Sequence, residues 1–275
     1  MKLLFSEALP DYEHYIFPYA IWAFPEAKET PADLFEAGFL PSTRELNRFY
    51  LTRHIRVRLS GFTPSSENRR VLRKCAHLRM RLVSQADFEV TPARMEFCHS
   101  YAHSRFGEGI MSMERLESLF TAPVATHIMI FDDPETGKEA GYVVLYVESP
   151  RLAFYYYSFY DLGMFDRNLG LYIMTSVVKS FAEEGIGFLY LGTCYSDRAL
   201  YKTQFRGCEF FNGVRWSNEV RELKYLVARQ GKAPEGHLLE DQHYLKSYYN
   251  ADAFGVAREH GLRFGGVRPS PGAAL

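Results

Sequence analysis

Apolar and polar positions alternate with a period of two over Phe49–Leu59, where Ile55, Val57 and Leu59 interleave with Arg56 and Arg58, so this stretch reads as one or two strands. Thr126–Phe131 and Glu139–Val147 are apolar runs joined by Asp132-Asp-Pro-Glu-Thr-Gly137, a turn composition, and predict paired strands. Leu152–Tyr160 is a third strand, dense in aromatic side chains that suit a pleated surface. After a break at Leu162-Gly163 the period lengthens. Leu169, Ile173, Val177 and Phe181 share one helical face, with Asp166 as N-cap, Glu184 as the last residue and Gly185 closing the end. Phe188–Leu191 reads as a short buried strand, Ser196–Phe205 as a short helix, and Cys208–Trp216 as a strand or hairpin.

Upstream, the first 40 residues or so are rich in aromatics and Pro, and Thr30-Pro31 starts a helix through Ala37 with Gly38 as its C-cap. Thr63-Pro64 caps a helix to about His77, Phe88–Ser104 is another, and Ser112 caps one through Phe120 beyond a linker at Phe106-Gly-Glu-Gly109. From Gly231 onward the pattern supports at most one helix, near Leu239–Tyr249, and residues 265–275 read as a loose tail. The order of elements from Thr126 to Trp216 implies an α/β (α+β) fold, a mixed sheet flanked by helices. The domains expected are a basic N-terminal segment (1–85), a core (86–230) and a C-terminal extension (231–275).

Composition changes this picture in three places. A net charge of −1 gives no global field toward nucleic acid, but from Pro41 to Arg81 eleven basic residues face only Glu45 and Glu67. Within that segment Arg69, Arg70, Arg73 and Lys74 fall on about a turn and a half of helix. Such density suits a phosphate backbone, and the alternative is a solvated helix face paired with acidic neighbours. The four cysteines, Cys75, Cys98, Cys194 and Cys208, form no C-x-x-C pair, as expected of reduced thiols in a cytoplasmic protein. Glu7, Asp11 and Glu13 interrupt the N-terminus, which is therefore not read as a secretory signal, and no uncharged apolar run approaches the roughly 20 residues that cross a bilayer.

The candidate chemistry gathers where the aromatic strand gives way to a Gly-bearing turn and a helix start, an arrangement that leaves backbone N–H groups free. Asp161 ends the strand and Arg167 lies in the first turn of the helix; Asp161 either orients and deprotonates an amine or simply forms the turn before Gly163. Tyr155–Tyr160 offer stacking surfaces or core, and Tyr201-Lys202 on the next helix either face the same crevice or solvent. His99 and His103, beside Cys98, are read as a packed or surface pair, so no metal is expected.

The chain resembles the aminoacyl-tRNA–protein transferases, the arginyl- and bacterial leucyl-transferases, in three blocks. Phe62-Thr-Pro-Ser-Ser-Glu-Asn-Arg-Arg-Val-Leu-Arg-Lys74 is similar to that family's F-x-P-S-x-x-Q-R-R-x-L-R-R. Tyr157-Ser-Phe-Tyr-Asp161, followed by Arg167-Asn-Leu-Gly170 and Tyr172, is similar to Y-x-F-Y-D-P…R-S-L-G-x-Y. Tyr190-Leu-Gly192, Tyr201-Lys-Thr-Gln-Phe205 and Gly213-Val-Arg-Trp216 are similar to Y-L-G…Y-K-x-x-F…G-x-W. The blocks cover roughly residues 35–220. The family's N-terminal cysteine motifs are absent, Leu162 replaces a Pro, and Thr193 replaces a Tyr.

The resemblance implies a GNAT-like core and transfer of Arg or Leu from aminoacyl-tRNA to the N-terminal amine of proteins that begin with an acidic residue. It needs no cofactor beyond the tRNA-borne donor. It implies catalytic roles for Asp161, Tyr160 and Lys202, substrate binding by Tyr157, Arg167, Gly170 and Tyr201, and tRNA binding by Arg69, Arg70, Arg73 and Lys74. An acyl-CoA-dependent N-acyltransferase and a noncatalytic RNA-binding paralogue are the alternatives. Against CoA, Tyr172 stands where R/Q-x-x-G-x-G/A enzymes keep a small residue beside pyrophosphate.

Overall fold

The computed structural model describes residues 1–13, 15–229 and 236–261, with the backbone alone for 165–167. Strands β1 (Lys2–Glu7) and β2 (Tyr19–Phe24) lead to helix α1 (Pro31–Glu36) and strands β3 (Phe39–Pro41), β4 (Phe49–Leu51) and β5 (His54–Arg58). Helix α2 (Ser66–Lys74), strand β6 (Arg79–Ser84) and helices α3 (Pro92–Phe106) and α4 (Met113–Thr121) follow. Strands β7 (His127–Asp132), β8 (Glu139–Glu148) and β9 (Leu152–Tyr160) precede helix α5 (Leu169–Glu183) and strand β10 (Phe188–Thr193). Strands β11 (Cys208–Phe211) and β12 (Trp216–Ser217) and helices α6 (Val220–Arg229), α7 (Gln242–Tyr249) and α8 (Ala253–Glu259) complete the chain.

The expected mixed sheet flanked by helices is present. It has eight strands in the order β12-β11-β5-β10-β9-β8-β7-β6, and a four-stranded sheet, β1-β2-β4-β3, lies beside it. Within the large sheet β9 and β10 are parallel, joined through α5, and every other neighbouring pair is antiparallel. Both faces are covered, which is why β8 reads as an almost unbroken apolar run. Met129, Phe131, Val143 and Leu145 pack with Ile173, Val177 and Phe181 of α5 on one side. Ile128, Ile130, Tyr142 and Val144 pack with Leu116 and Phe120 of α4 on the other. A further core, built on Phe35, Phe39 and Phe49, joins the small sheet to Tyr146, Phe154 and Tyr190.

The 1–85 segment contributes to both sheets: β1–β4 build the small one, while β5 is an inner strand and β6 an edge strand of the large one. Several boundaries differ from the pattern. Helix α2 starts at Ser66, because Ser65 and Asn68 cap each other reciprocally and displace Thr63 as the cap. Helix α5 starts at Leu169 behind Asn168, whose backbone is left-handed (φ 56°); Leu162–Arg167 form a 3-10 segment where Asp166 was expected to cap the helix. Ser196–Phe205 is likewise a 3-10 segment, at Asp197–Gln204. Helix α6 was not expected, and α7 and α8 replace the single helix expected beyond residue 231. Asp132, assigned to a turn, ends β7 and is buried. The expected tail lies outside the described residues, among which no helix is long and apolar enough to cross a membrane.

Candidate active site

Strands β9 and β10 pair only where Leu152–Phe154 face Phe188–Tyr190. Beyond that register β9 continues on β8 alone and β10 on β5 alone, so the parallel pair parts toward its C-terminal ends and opens a crevice. Each strand is irregular at this opening. Tyr156 is an extra residue in β9, since Tyr155 faces Leu145 and Tyr157 faces Val144. In β10 the register shifts between Tyr190 and Gly192, whose φ of 80° suits glycine.

One wall is Tyr160. Its ring lies 4.8 Å from Tyr101, and its hydroxyl accepts a hydrogen bond from Arg105 Nη2 at 3.2 Å. The same ring covers Gly170 at the start of α5, where a Cβ would stand 2.6 Å from Tyr160 Cζ. Gly170 thus permits the approach of Tyr160. Tyr172, expected to obstruct a pyrophosphate here, is instead buried against Phe131 at 5.9 Å, with its hydroxyl directed at the Leu78 carbonyl. At this helix start the obstruction is Tyr160.

The other wall is the end of β10 with the 3-10 segment after it. Lys202 is half-buried and its Nζ donates to the Thr193 carbonyl at 3.0 Å; burial lowers its pKa. Arg53 Nε donates to the Cys194 carbonyl at 2.8 Å, its guanidinium carbon sits 4.6 Å over the Tyr195 ring, and its Nη2 is buried without a hydrogen-bond partner. An orphaned guanidinium nitrogen at the lip of a crevice is a ready donor for an anionic or carbonyl oxygen. Tyr201, on the same segment, is 49% exposed, and its phenol is raised by partial burial first and Tyr160 second, while Arg105 opposes them.

Asp161 is exposed, and its Oδ1 accepts from the Gly163 N–H at 2.8 Å, so it does form the turn. It also lines two clefts. One, of about 430 Å³, includes His77, Leu78, Lys138 and Glu139; the other, of about 360 Å³, includes Glu96, Ser100, Tyr101 and Tyr160. Lys202 lines neither of these clefts. Tyr157 turns to the opposite face of β9, onto a cleft of about 280 Å³ with Arg44 and Arg115. The side chain of Arg167 lies outside the described residues.

The basic segment is partly consumed internally. Arg56 and Arg58 both pair with Glu209, Arg70 with Glu67, and Arg79 and Arg81 with Asp132. Arg69, which donates to the Pro64 carbonyl at 2.7 Å, Arg73 and Lys74 are exposed on α2, whose end leads through His77 and Leu78 into the Asp161 cleft. Among the described residues no group of three His, Cys, Asp or Glu could hold a metal, and the four cysteines form no disulfide. Arg105, Arg115 and Tyr156 were not singled out from the sequence. Arg105 falls just beyond the helix end expected at Ser104, and Tyr156 is indistinguishable from its aromatic neighbours until the bulge is known.

The chain is similar to the aspartate/glutamate leucyltransferases. It is 27% identical over 167 residues to the one from Ruegeria pomeroyi, across 58% of this chain and 60% of that relative. It is 28% identical over 178 residues to the one from Paracoccus denitrificans, across 58% and 62%. The chain therefore spans about three-fifths of the length of these curated relatives. Among solved structures, FemX aligns at a TM-score of 0.41 with 8% identity, over 62% of this chain and 56% of that one. No protein-family model matches the chain.

Proposed function

We propose that this protein transfers leucine from leucyl-tRNA to the N-terminal amine of proteins that begin with Asp or Glu. The observation that supports it most is the parting of β9 from β10, with Tyr160 at the end of one strand and Lys202 and Arg53 bonded to the end of the other, in a chain similar to leucyltransferases of that acceptor class. The acceptor nitrogen attacks the ester carbonyl carbon, a C–N bond forms, and the C–O bond to the terminal ribose breaks, its oxygen leaving with a proton. The ester is already activated, so no cofactor is required.

In this reaction Asp161 takes the proton of the α-ammonium by way of water, Tyr160 and Tyr201 flank the aminoacyl end, and Lys202 donates to the oxygen that becomes negative in the tetrahedral intermediate. The lowered pKa of Lys202 does not prevent this, because a neutral or charged amine both carry N–H donors. Arg69, Arg73 and Lys74 on α2 supply the face for tRNA phosphates, with Arg70 held partly by Glu67. A cytoplasmic setting accords with this reading.

The test is a transfer assay with labelled leucyl- and arginyl-tRNA on peptides beginning with Asp, Glu or Ala. Leucine should pass to the Asp and Glu peptides, and Asp161→Asn should lower kcat by about 10²–10⁴-fold. Absence of label from either tRNA on any peptide overturns the proposal.

A further inference from the structure

We propose that the cleft under Tyr156 and Tyr157 reads the side-chain carboxylate of the acceptor's first residue, with Arg44 and Arg115 as its partners. This rests on the transfer reaction proposed above and assigns its acceptor specificity to particular residues.

Two guanidinium groups enter this cleft from rigid elements. Arg44 follows β3; its carbonyl accepts from Val124 N at 3.0 Å and its Nη1 bonds to Ser118 Oγ on α4. Arg115 lies in the first turns of α4, anchored by Ser112 Oγ accepting from its backbone N–H, and its side chain is exposed. Among the described residues neither has a carboxylate within ion-pair distance. By contrast Arg56, Arg58, Arg79, Arg81, Arg94 and Arg151 all do. Both arginines line the cleft with Tyr156, whose phenol is raised to about 12 by burial first and Tyr157 next, while Arg44 and Arg115 pull it down. Two guanidinium groups without a carboxylate partner, Arg44 bonded to Ser118 Oγ and Arg115 to the Ile110 carbonyl at 3.4 Å, line one cleft with two tyrosines and keep further N–H donors for a single carboxylate.

Size and charge select the occupant. At about 280 Å³ the cleft is smaller than the range usual for drug-sized ligands and fits a side chain. Glu45 also lines it, so two arginines against one glutamate leave a single net positive charge, which one carboxylate neutralises and the successive charges of a phosphodiester chain exceed. The cleft also borders the crevice. Tyr156 and Tyr157 lie on β9 just beyond Phe154, where pairing with β10 has ended, so the tyrosine wall of the cleft flanks the opening. A residue seated beside Arg44 and Arg115 would therefore have its backbone near the reacting ester.

The experiment compares Arg115→Ala and Arg44→Lys with the unaltered protein on peptides beginning with Asp, Glu, Asn and Ala, using leucyl-tRNA. Arg115→Ala should lower kcat/KM for the acidic peptides by about tenfold or more, leave the Asn and Ala peptides nearly unchanged, and leave the KM for tRNA unaltered. Arg44→Lys keeps a positive charge and should retain part of the preference. Equal losses on acidic and neutral peptides, or an effect confined to the KM for tRNA, would overturn the assignment; the latter would make this a nucleic-acid contact. If the unaltered protein transfers nothing, the transfer reading fails separately. Calorimetry with Asp- and Asn-initiated peptides then decides the cleft: tighter Asp binding that Arg115→Ala abolishes supports it, and equal binding of both rejects it.

Discussion

Replacing Gly170 with Ala tests whether the start of α5 is shaped around Tyr160. Gly170 is the second residue of the helix, so its backbone suits alanine, and in isolation the change should stabilise by about 0.4–1 kcal/mol through the unfolded chain. The new Cβ, however, would stand 2.6 Å from Tyr160 Cζ, 2.6 Å from its hydroxyl oxygen and 3.0 Å from Cε1. Ordinary carbon contacts lie at about 3.5–4.0 Å, so roughly 1 Å must be found. The ring has little room to give it, with Tyr101 at 4.8 Å and Arg105 on its hydroxyl. Overpacking of this kind costs about 1–3 kcal/mol, so the net effect is a destabilisation of about 1 kcal/mol.

The sign should reverse once the ring is gone. In a Tyr160→Ala background, Gly170→Ala should stabilise by about 0.5 kcal/mol, giving a coupling of about 1.5 kcal/mol across the double-mutant cycle. Urea unfolding of the four proteins measures this through the midpoints at constant m-value. If Gly170→Ala stabilises the unaltered protein, or acts equally in both backgrounds, the close approach of Tyr160 is not what glycine serves here.

Two other residues give independent checks. His54 is fully buried, and burial first, with Arg56 and Lys202 adding to it against the Thr52 carbonyl, holds its pKa to about 3. Between pH 6.5 and 3 the unfolded chain therefore binds a proton that the folded chain refuses; stability present above pH 6.5 falls on acidification by up to about 1.4 kcal/mol per pH unit, and His54→Asn should flatten that slope. An unchanged slope between pH 4 and 6 would reject the assignment. Glu222, 1% exposed, accepts from Asn212 Nδ2 at 2.8 Å, Tyr244 at 2.6 Å and Ser217 at 2.7 Å. Glu222→Ala strands these donors and should cost about 3–5 kcal/mol in urea unfolding, clearly more than Glu222→Gln; equal losses would refute the hydrogen-bond account.

Elements buried on both faces or carrying one strong face were legible along the chain: β7, β8, β9 and α5 lie within a few residues of the expected positions. Those whose signal another property masks were not. Strand β6 holds Arg79 and Arg81, which read as part of a basic face, yet both arginines reach Asp132 on the neighbouring strand β7. Strand β1 leaves Leu4 and Phe5 exposed, so no alternation marks it. Asp166 satisfies every local rule for a cap, but the backbone stays in a 3-10 turn until Asn168, and residue preference does not encode that delay.

The site shows the same contrast in one residue. Strict alternation along Leu152–Tyr160 would set Tyr157 with Tyr155 on one wall. A single extra residue at Tyr156 breaks that parity, because side-chain direction has a period of two and one insertion exchanges every position beyond it. Tyr155 stays with the α5 core, whereas Tyr156 and Tyr157 both turn to the face carrying Arg44 and Arg115. Strand β9 therefore presents an aromatic wall to each side of the sheet beside one opening. In the proposed transfer, that lets a donor ester on the Tyr160–Lys202 side and an acceptor side chain on the Tyr157–Arg115 side occupy separate pockets while their reacting atoms meet between β9 and β10. Deleting the bulge by removing Tyr156 should then abolish transfer while the sheet still forms, and a deletion variant that folds and keeps full acceptor preference would show that the two faces do not cooperate.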